Sequence, residues 1–198
     1  MTIGILAVQG AFAEHQKKLE LLGVESILLR KKEDLETPIQ GLILPGGEST
    51  VQGKLLRELE MYDILKEKMK SGLPVLATCA GLILLAEHLS NDEHIYFGTL
   101  PVTVKRNAYG RQLGSFRTEE EMKGIGTVPM TFIRAPYIEQ VRNDTEDPVE
   151  ILARTGGEIV AVRWRNQLGL SFHPELDQDN RIHEEFLEMC RKSMQGSY

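Results

Sequence analysis

Through the first half of this 198-residue chain, short apolar runs alternate with segments whose apolar residues recur at helical spacing. The apolar runs predict strands at residues 3–8, 25–29, 41–44 and 73–77, and the continuous run 3–8 is typical of a strand buried on both faces. Apolar residues at helical spacing predict helices over 11–22 and 55–69, the second broken near Glu60-Met61-Tyr62. This order predicts an α/β protein with a three-layer, mostly parallel sheet and helices on both faces.

The second half of the chain has a different pattern. Short strands are predicted at 100–105, 130–133, 149–153, 159–164 and 168–172, followed by a helix over 180–194. Arg165-Asn166-Gln167 joins the last two strands and is typical of a hairpin. We interpret the acidic run Glu119-Glu120-Glu121 as a solvated loop or helix start. No linker is visible, so we predict a single domain over residues 1–198.

Charge and composition exclude several classes of function. The net charge of −6 argues against nonspecific nucleic-acid binding. No apolar run approaches the roughly 18 residues of a membrane span, so we expect no membrane contact. The two cysteines, Cys79 and Cys190, suggest no disulfide framework, and a cytoplasmic location follows. No histidine or cysteine pair has the spacing of metal ligands, so we predict no metal and no cofactor.

Cys79 lies between the predicted strand 73–77 and the apolar, helix-like stretch 82–86. A residue at such a junction is held in a sharp turn that projects its side chain, as in a nucleophile elbow. Backbone N–H groups and a helix N-terminus near the sulfur would favour a thiolate. The alternative is a buried, inert cysteine, because free cysteines are often buried.

Two further unusual segments follow strand ends, and the carboxyl ends of parallel strands share one sheet edge. The segment 45–50 contains Gly46-Gly47, which would permit unusual backbone angles and close approach to a ligand. Its N–H groups, with that of Ala80, could stabilise an oxyanion. The alternative for this segment is a plain turn in which Ser49 caps the next helix.

The other segment is His173-Pro174-Glu175. In an extended segment, residues two apart point to the same side, so Glu175 could orient the His173 imidazole. The remaining histidines are interpreted as ordinary surface or core residues: His15, His88, His94 and His183.

Arg106 and Arg134 each follow a predicted strand and could bind a carboxylate. A solvated surface arginine is the alternative at each position.

Taken in order, Thr78-Cys79-Ala80-Gly81 and Phe172-His173-Pro174-Glu175 resemble the class I (triad) glutamine amidotransferases. Further segments narrow the resemblance to the glutaminase subunits of pyridoxal 5′-phosphate synthases. These are Leu44–Thr50, Val8-Gln9-Gly10, Arg106-Asn107, Tyr109-Gly110-Arg111-Gln112 and Phe132–Pro136. The resemblance covers nearly the whole chain. One departure is Ala77, where many triad amidotransferases have glycine, and alanine is small enough to keep the turn.

The resemblance implies a flavodoxin-like, class I amidotransferase fold and hydrolysis of L-glutamine to L-glutamate and ammonia through a cysteine thioester. The ammonia would pass to a separate synthase subunit that makes pyridoxal 5′-phosphate (vitamin B6). Cys79 would be the nucleophile, His173 the general base and acid, and Glu175 the group that orients it. The resemblance places oxyanion N–H groups at Gly47 and Ala80, and glutamine contacts at Gly47, Glu48, Ser49, Arg106, Ile133 and Arg134. Gln9-Gly10 and the loop 106–112 are the predicted partner-facing segments.

Two other classes of function stay open on the residues alone. One is a different cysteine hydrolase on a similar sheet, such as a γ-glutamyl hydrolase or an intracellular cysteine protease. The loop Pro45–Thr50 and the two arginine segments argue against it. The other is an inactive scaffold or regulatory subunit, against which the intact set of Cys79, His173 and Glu175 argues.

Overall fold

A computed structural model of the chain describes residues 1–108, 114–144 and 146–196, and one large sheet dominates it. The strands are β1 (Thr2–Leu6), β2 (Glu25–Leu29), β3 (Gly41–Leu44), β4 (Val75–Thr78), β5 (Ala86–Leu89), β6 (Leu100–Lys105), β7 (Ser115–Met122), β8 (Gly126–Ile133), β9 (Tyr137–Val141), β10 (Glu150–Thr155), β11 (Glu158–Trp164) and β12 (Gln167–Leu170). The helices are α1 (Phe12–Leu21), α2 (Ser49–Glu58), α3 (Tyr62–Lys70), α4 (Ala80–Leu85) and α5 (Arg181–Met194). Short 3₁₀ helices occupy Lys32–Glu36 and Pro174–Leu176.

The large sheet has a parallel half and a mainly antiparallel half. Its strand order is β2-β1-β3-β4-β12-β11-β9-β6-β5, with β10 paired to β11. All pairs from β2 to β12 are parallel. Beyond β12, strand β11 pairs antiparallel with β12, β9 and β10, and β9 pairs antiparallel with β6. The predicted α/β class is confirmed: the continuous parallel half consists of β1 to β4 together with β12, and β5 and β6 form a further parallel pair at the far edge.

Alternate residues of the central strands feed two separate cores. In β3, Leu42 and Leu44 pack with residues of α2, α3 and α4, whereas Ile43 packs with residues of α1 and α5. This follows from the two-residue period of a strand, which sends neighbouring side chains to opposite faces. Helices therefore cover both faces of the sheet, as the apolar runs predict.

The hairpin of β7 and β8 forms a small second sheet over the face that carries α1 and α5. The prediction of a loop or helix start at Glu119-Glu120-Glu121 is wrong, because these residues lie within β7. Glu119 and Glu121 are exposed, while the carboxylate of Glu120 accepts a hydrogen bond of 2.7 Å from the Thr155 hydroxyl. Charged side chains are compatible with a strand whose outer face meets solvent.

The break between α2 and α3 is confirmed at Glu60, which has a φ of 54°. Strands β5 and β9 were not predicted. The apolar stretch after Cys79 is helical only to Leu85 and continues from Ala86 as β5. Within the described residues, no helix is both long and apolar enough to cross a bilayer.

Candidate active site

Three adjacent parallel strands bring the segments containing Gly46, Cys79 and His173 to one edge of the sheet. In the register of these strands, Leu44 pairs with Ala77 and Thr78 pairs with Leu170. The residues that follow these strands surround a cavity of about 340 Å³. Eight of the predicted site residues line it: Gly47, Glu48, Ser49, Cys79, Arg106, Ile133, Arg134 and His173. Its volume is at the lower end of the range for small-molecule sites, roughly 300–1,000 Å³.

Cys79 has the backbone of a strained strand-to-helix turn, with φ 48° and ψ −103°. A non-glycine residue with positive φ is held there only by its surroundings. Here the Cys79 N–H donates to the Leu170 carbonyl at 2.9 Å. The thiol lies 3.9 Å from the Ile133 carbonyl oxygen and lines the cavity. Helix α4 has only six residues, so the turn itself is the main device that projects the sulfur.

Glycine is required by space on both sides of this turn. A Cβ at Gly81 would lie 2.0 Å from the Leu44 carbonyl oxygen, so α4 can start against the end of β3 only without a side chain. A Cβ at Gly46 would lie 2.3 Å from Cε1 of His173. Neither Gly46 nor Gly47 has a positive φ. Close approach, and not an unusual backbone angle, therefore explains glycine at Gly46.

His173 and Glu175 form the predicted pair, with 2.7 Å between Nδ1 and Oε1. The prediction that they lie in an extended segment is wrong, because Pro174 begins a 3₁₀ helix. The tight turn brings the carboxylate back beneath the imidazole. Burial lowers the pKa of His173, but hydrogen bonds with Cys79 and Glu175 outweigh burial and raise it to about 10. Burial raises the pKa of Glu175, but the neighbouring His15 and His173 outweigh that effect and lower it.

The loop that contains Gly46 is held by hydrogen bonds from neighbouring segments. The Gly46 N–H donates to the Thr78 hydroxyl at 3.1 Å, and the Gly46 carbonyl accepts from the Ala11 N–H at 2.9 Å. The Gln9 side-chain oxygen accepts from the Glu48 N–H at 2.8 Å. Ser49 is the first residue of α2, and no side chain caps that helix, so the alternative role of Ser49 as a cap is wrong.

The two arginines at the cavity differ in their partners. The Arg106 guanidinium contacts the Asp92 carboxylate at 2.5 Å. Hydrogen bonds from His94, together with Arg106, lower the pKa of Asp92 to about 2. Arg134 is exposed, has a φ of 43° and forms no ion pair with a described residue. Arg134 is therefore the cavity-lining arginine whose charge is available to a ligand.

Some predicted residues lie beside the cavity, and other residues line it unpredicted. Ala80 and Glu175 are buried next to Cys79 and His173. Ala11 and Ile83 line the cavity without having been singled out in the sequence. Gln9 and Gly10 were predicted to face a partner, and they line the cavity as well. The segment Tyr109–Gln112 lies outside the described residues. In the described part of the chain, no group of three or more histidine, cysteine or acidic residues is placed to share a metal ion.

His15 is the main residue that sequence reasoning missed. It is fully buried, and its Nε2 lies 3.5 Å from Oε2 of Glu175. The prediction that it is an ordinary core or surface histidine overlooks this contact. A signal was available, because His15 lies one turn into the helix that follows β1, at the same sheet edge.

Comparisons with known proteins identify the family of the chain. Residues 5–192 match the model of the SNO glutamine amidotransferase family. The chain is 66% identical over 188 residues to pyridoxal 5′-phosphate synthase subunit PdxT of Desulfitobacterium hafniense (strain DSM 10664 / DCB-2), covering 95% of this chain and 92% of the relative. It is 54% identical over 198 residues to the subunit of the same name from Streptococcus pneumoniae (strain CGSP14), covering 98% of this chain and 100% of the relative.

Solved structures show the same architecture. A crystal structure of a glutamine amidotransferase superposes with a TM-score of 0.87 at 44% identity, covering 96% of this chain and 98% of that one. A glutamine amidotransferase from Thermotoga maritima, 17% identical, shares the fold with a TM-score of 0.61 over 98% of this chain and 84% of that one. The predicted resemblance is confirmed. The chain belongs to the SNO glutamine amidotransferase family.

Proposed function

We propose that this chain hydrolyses L-glutamine to L-glutamate and ammonia, with Cys79, His173 and Glu175 as its catalytic triad. One observation carries the proposal: the His173 ring lies between a thiol that lines the cavity and a buried carboxylate. A nucleophile, a base and an orienting group in this order are the arrangement that acyl transfer from an amide requires.

The reaction proceeds in two stages. The Cys79 thiolate attacks the side-chain amide carbon of glutamine, and the carbonyl oxygen takes the negative charge. His173, which is protonated, gives its proton to the leaving nitrogen, so ammonia departs and a γ-glutamyl thioester remains. A water molecule then attacks the thioester while His173 accepts its proton. The thiolate leaves and glutamate is released.

The rest of the cavity supports this substrate. The N–H groups of Gly47 and Ala80 would stabilise the oxyanion, since both follow the ends of adjacent strands. Glu48, Ser49 and Ile133 would contact the glutamine. Arg134 would bind the α-carboxylate because it has no ion-pair partner among the described residues. Arg106, held by Asp92, would provide a second and more rigid contact.

The two cysteines of the chain provide a matched test. Cys79→Ala should abolish ammonia release from glutamine, because no other group can form the thioester. Cys190→Ala is the control, since Cys190 is buried in α5 and burial raises its pKa to about 12. Glutamate release, which is common to both substrates, is measured by a coupled glutamate dehydrogenase assay with glutamine and with a γ-glutamyl dipeptide. Normal activity of Cys79→Ala, or faster cleavage of the dipeptide, would contradict the proposal.

We further propose that the ammonia passes to a pyridoxal 5′-phosphate synthase subunit, in the cytoplasm. The names of the relatives support this partner. The two free, buried cysteines fit a reducing compartment. In a complex with a candidate synthase subunit, Cys79→Ala should lose product formation from glutamine and keep it with added ammonium chloride. Failure to co-purify, or loss of both activities, would count against this partner.

A further inference from the structure

A buried pair of histidines lies behind the proposed triad and takes no part in the mechanism above. His15 on α1 and His183 on α5 are both fully buried. Nδ1 of His15 lies 3.0 Å from Nε2 of His183. The opposite nitrogen of His15, Nε2, lies 3.5 Å from Oε2 of Glu175 and 3.3 Å from the Thr78 hydroxyl. The imidazole of His15 therefore bridges α5 and the carboxylate of the triad.

The hydrogen-bond partners select one tautomer of each ring. Nδ1 of His183 has no hydrogen-bond partner among the described residues. A buried N–H without an acceptor is costlier than a buried lone pair, so the His183 proton belongs on Nε2, where it is donated to His15. Nδ1 of His15 is then the acceptor, and Nε2 of His15 carries the proton. The alternative tautomers would place an N–H without an acceptor on Nδ1 of His183 and would turn a lone pair of His15 Nε2 toward Oε2 of Glu175.

We propose that His15 is a positioning residue that holds Glu175 ionised and oriented beneath His173 by presenting its Nε2–H to Oε2 at 3.5 Å, while His183 fixes the tautomer of His15. The inference rests on the proposed function, because Glu175 acts on Cys79 through His173. His15 and His183 would thus extend the series of contacts that runs from Cys79 through His173 to Glu175.

Burial makes this donor important. The Glu175 side chain has no exposed surface, and Oε1 is used by His173. Oε2 forms no hydrogen bond of normal geometry with a described residue, and Nε2 of His15 approaches it at 3.5 Å. A buried carboxylate without donors favours its protonated form. Protonated Glu175 would no longer stabilise the His173 imidazolium, and the thiolate of Cys79 would lose its counterion.

His15 also contacts Thr78, whose hydroxyl holds the loop that contains Gly46. The Thr78 hydroxyl that faces Nε2 of His15 accepts the Gly46 N–H at 3.1 Å. Thr78 is the last residue of β4, directly before Cys79. One ring therefore contacts the carboxylate of the triad and the residue that joins the nucleophile to the loop of Gly46.

The charges around His15 come from three elements. Glu14 and Lys18 lie on α1, Glu175 and His173 lie at the end of β12, and His183 lies on α5. Burial is the largest of these influences and lowers the pKa of His15, so the ring is neutral at pH 7. The Lys18 ammonium is directed at the Asp177 carbonyl and at Oδ1 of Asn180, the latter at 2.8 Å. His15 thus presents its N–H to Glu175.

Two polar substitutions of His15 separate positioning from packing. The amide of glutamine places an N–H near the position of Nε2, whereas the shorter amide of asparagine reaches only the position of Nδ1. We expect His15→Asn to raise the pH midpoint of Cys79 alkylation by iodoacetamide by about one unit, because Glu175 becomes protonated. We expect kcat for ammonia release to fall about tenfold to hundredfold, less than the roughly 10⁴-fold loss when a triad carboxylate is replaced. His15→Gln should keep the midpoint within a few tenths of a unit and kcat within about threefold.

Leu19→Ala is the control for stability. Leu19 is fully buried on the same helix and belongs to the core beneath α1, so its truncation destabilises the chain without touching Glu175. Alkylation is followed by mass spectrometry of the Cys79 peptide in the full chain, and kcat is measured with the synthase subunit present. The inference is overturned if His15→Asn and His15→Gln have equal midpoints, or if Leu19→Ala moves the midpoint as far. A wild-type chain that releases no ammonia from glutamine would instead overturn the proposed function, and the inference with it.

Discussion

The parallel and antiparallel halves of the sheet contribute different kinds of residue to the cavity. The parallel half places Gly46, Cys79 and His173 after β3, β4 and β12, three strands that are direct neighbours. The other half contributes Arg106 after β6, and the hairpin contributes Ile133 and Arg134 at the end of β8. The proposed bond-breaking groups are therefore set by strand register. The two arginines proposed to bind glutamine follow strands outside the parallel half, so they can change without altering the register that places Cys79 and His173.

The largest effect should come from removing the orienting charge in the parallel half. Glu175→Gln keeps the shape of the side chain and removes the acceptor charge beneath His173, so kcat for ammonia release should fall about 10³- to 10⁴-fold. Glu119→Gln, an exposed carboxylate in β7, is the control and should leave kcat unchanged. Steady-state kinetics with glutamine measure both. A fall of less than tenfold for Glu175→Gln would show that register does not place a working orienter here.

A smaller effect should come from displacing His173. In Gly46→Ala the new Cβ would lie 2.3 Å from Cε1 of His173, so the ring must move. A displacement of about 1 Å at a catalytic group can cost roughly a hundredfold in rate. We expect kcat to fall by about that factor while far-ultraviolet circular dichroism stays unchanged. Unaltered kcat would mean that the packing of the ring against Gly46 does not set its position.

The turn residues should affect binding and not the chemical step. Arg134→Met should raise KM for glutamine about tenfold to hundredfold with kcat nearly constant, since a charge-assisted hydrogen bond is made equally in the ground and transition states. Arg106→Met should raise KM less, because Asp92 already holds that guanidinium. Initial rates over a range of glutamine concentrations test the order. An equal loss of kcat in Arg134→Met would contradict the division between the two halves.

The smallest predicted effect is on stability, which His173 and Asp92 should make depend on pH in opposite directions. The pKa of His173 is raised from 6.5 to about 10, so its stabilisation is complete below pH 6.5 and is lost as the pH rises through 10. The pKa of Asp92 is lowered from 3.8 to about 2, so its stabilisation is present above pH 3.8 and is lost as the pH falls through 2.

Urea unfolding of His173→Gln and Asp92→Asn, each against wild type, measures this difference. The loss in free energy of unfolding caused by His173→Gln should shrink between pH 6 and pH 10.5. The loss caused by Asp92→Asn should stay constant over the same range. If the loss in free energy of unfolding depends on pH in the same way for both variants, the predicted difference between His173 and Asp92 is wrong.

Sequence periodicity predicted the parallel half well because its strands β1, β3 and β4 are almost entirely buried and appear in the sequence as apolar runs. The strand β3 was predicted with its observed bounds, and Cys79, His173 and the glycine loop were placed at one edge from strand order alone. Strand β7 was not predicted, because its exposed and half-buried positions alternate mostly among charged and polar residues of a hairpin. Strand β5 failed because Ala86 continues an apolar run that starts as α4, and period alone does not separate the two.

The site was less accessible to sequence reasoning where contacts join distant segments. The pairing of His173 with Glu175 was predicted from an extended backbone, whereas a 3₁₀ turn produces it. The contact between His15 and Glu175 spans most of the chain and depends on how α1 packs against the 3₁₀ helix Pro174–Leu176. No local pattern encodes such a contact, although the position of His15 after a parallel strand restricts where it can point.

The insertion of β12 between β4 and β11 sets an order for the assembly of the molecule. Its neighbour β4 lies about 90 residues earlier, and the Leu170 carbonyl anchors the N–H of Cys79. Long-range pairings of this kind are slow to close. During synthesis, a nascent chain up to residue 166 carries the Cys79 thiol without its anchor or its base. The proposed pair of Cys79 and His173 can therefore form only after the last sixth of the polypeptide has been made and has docked.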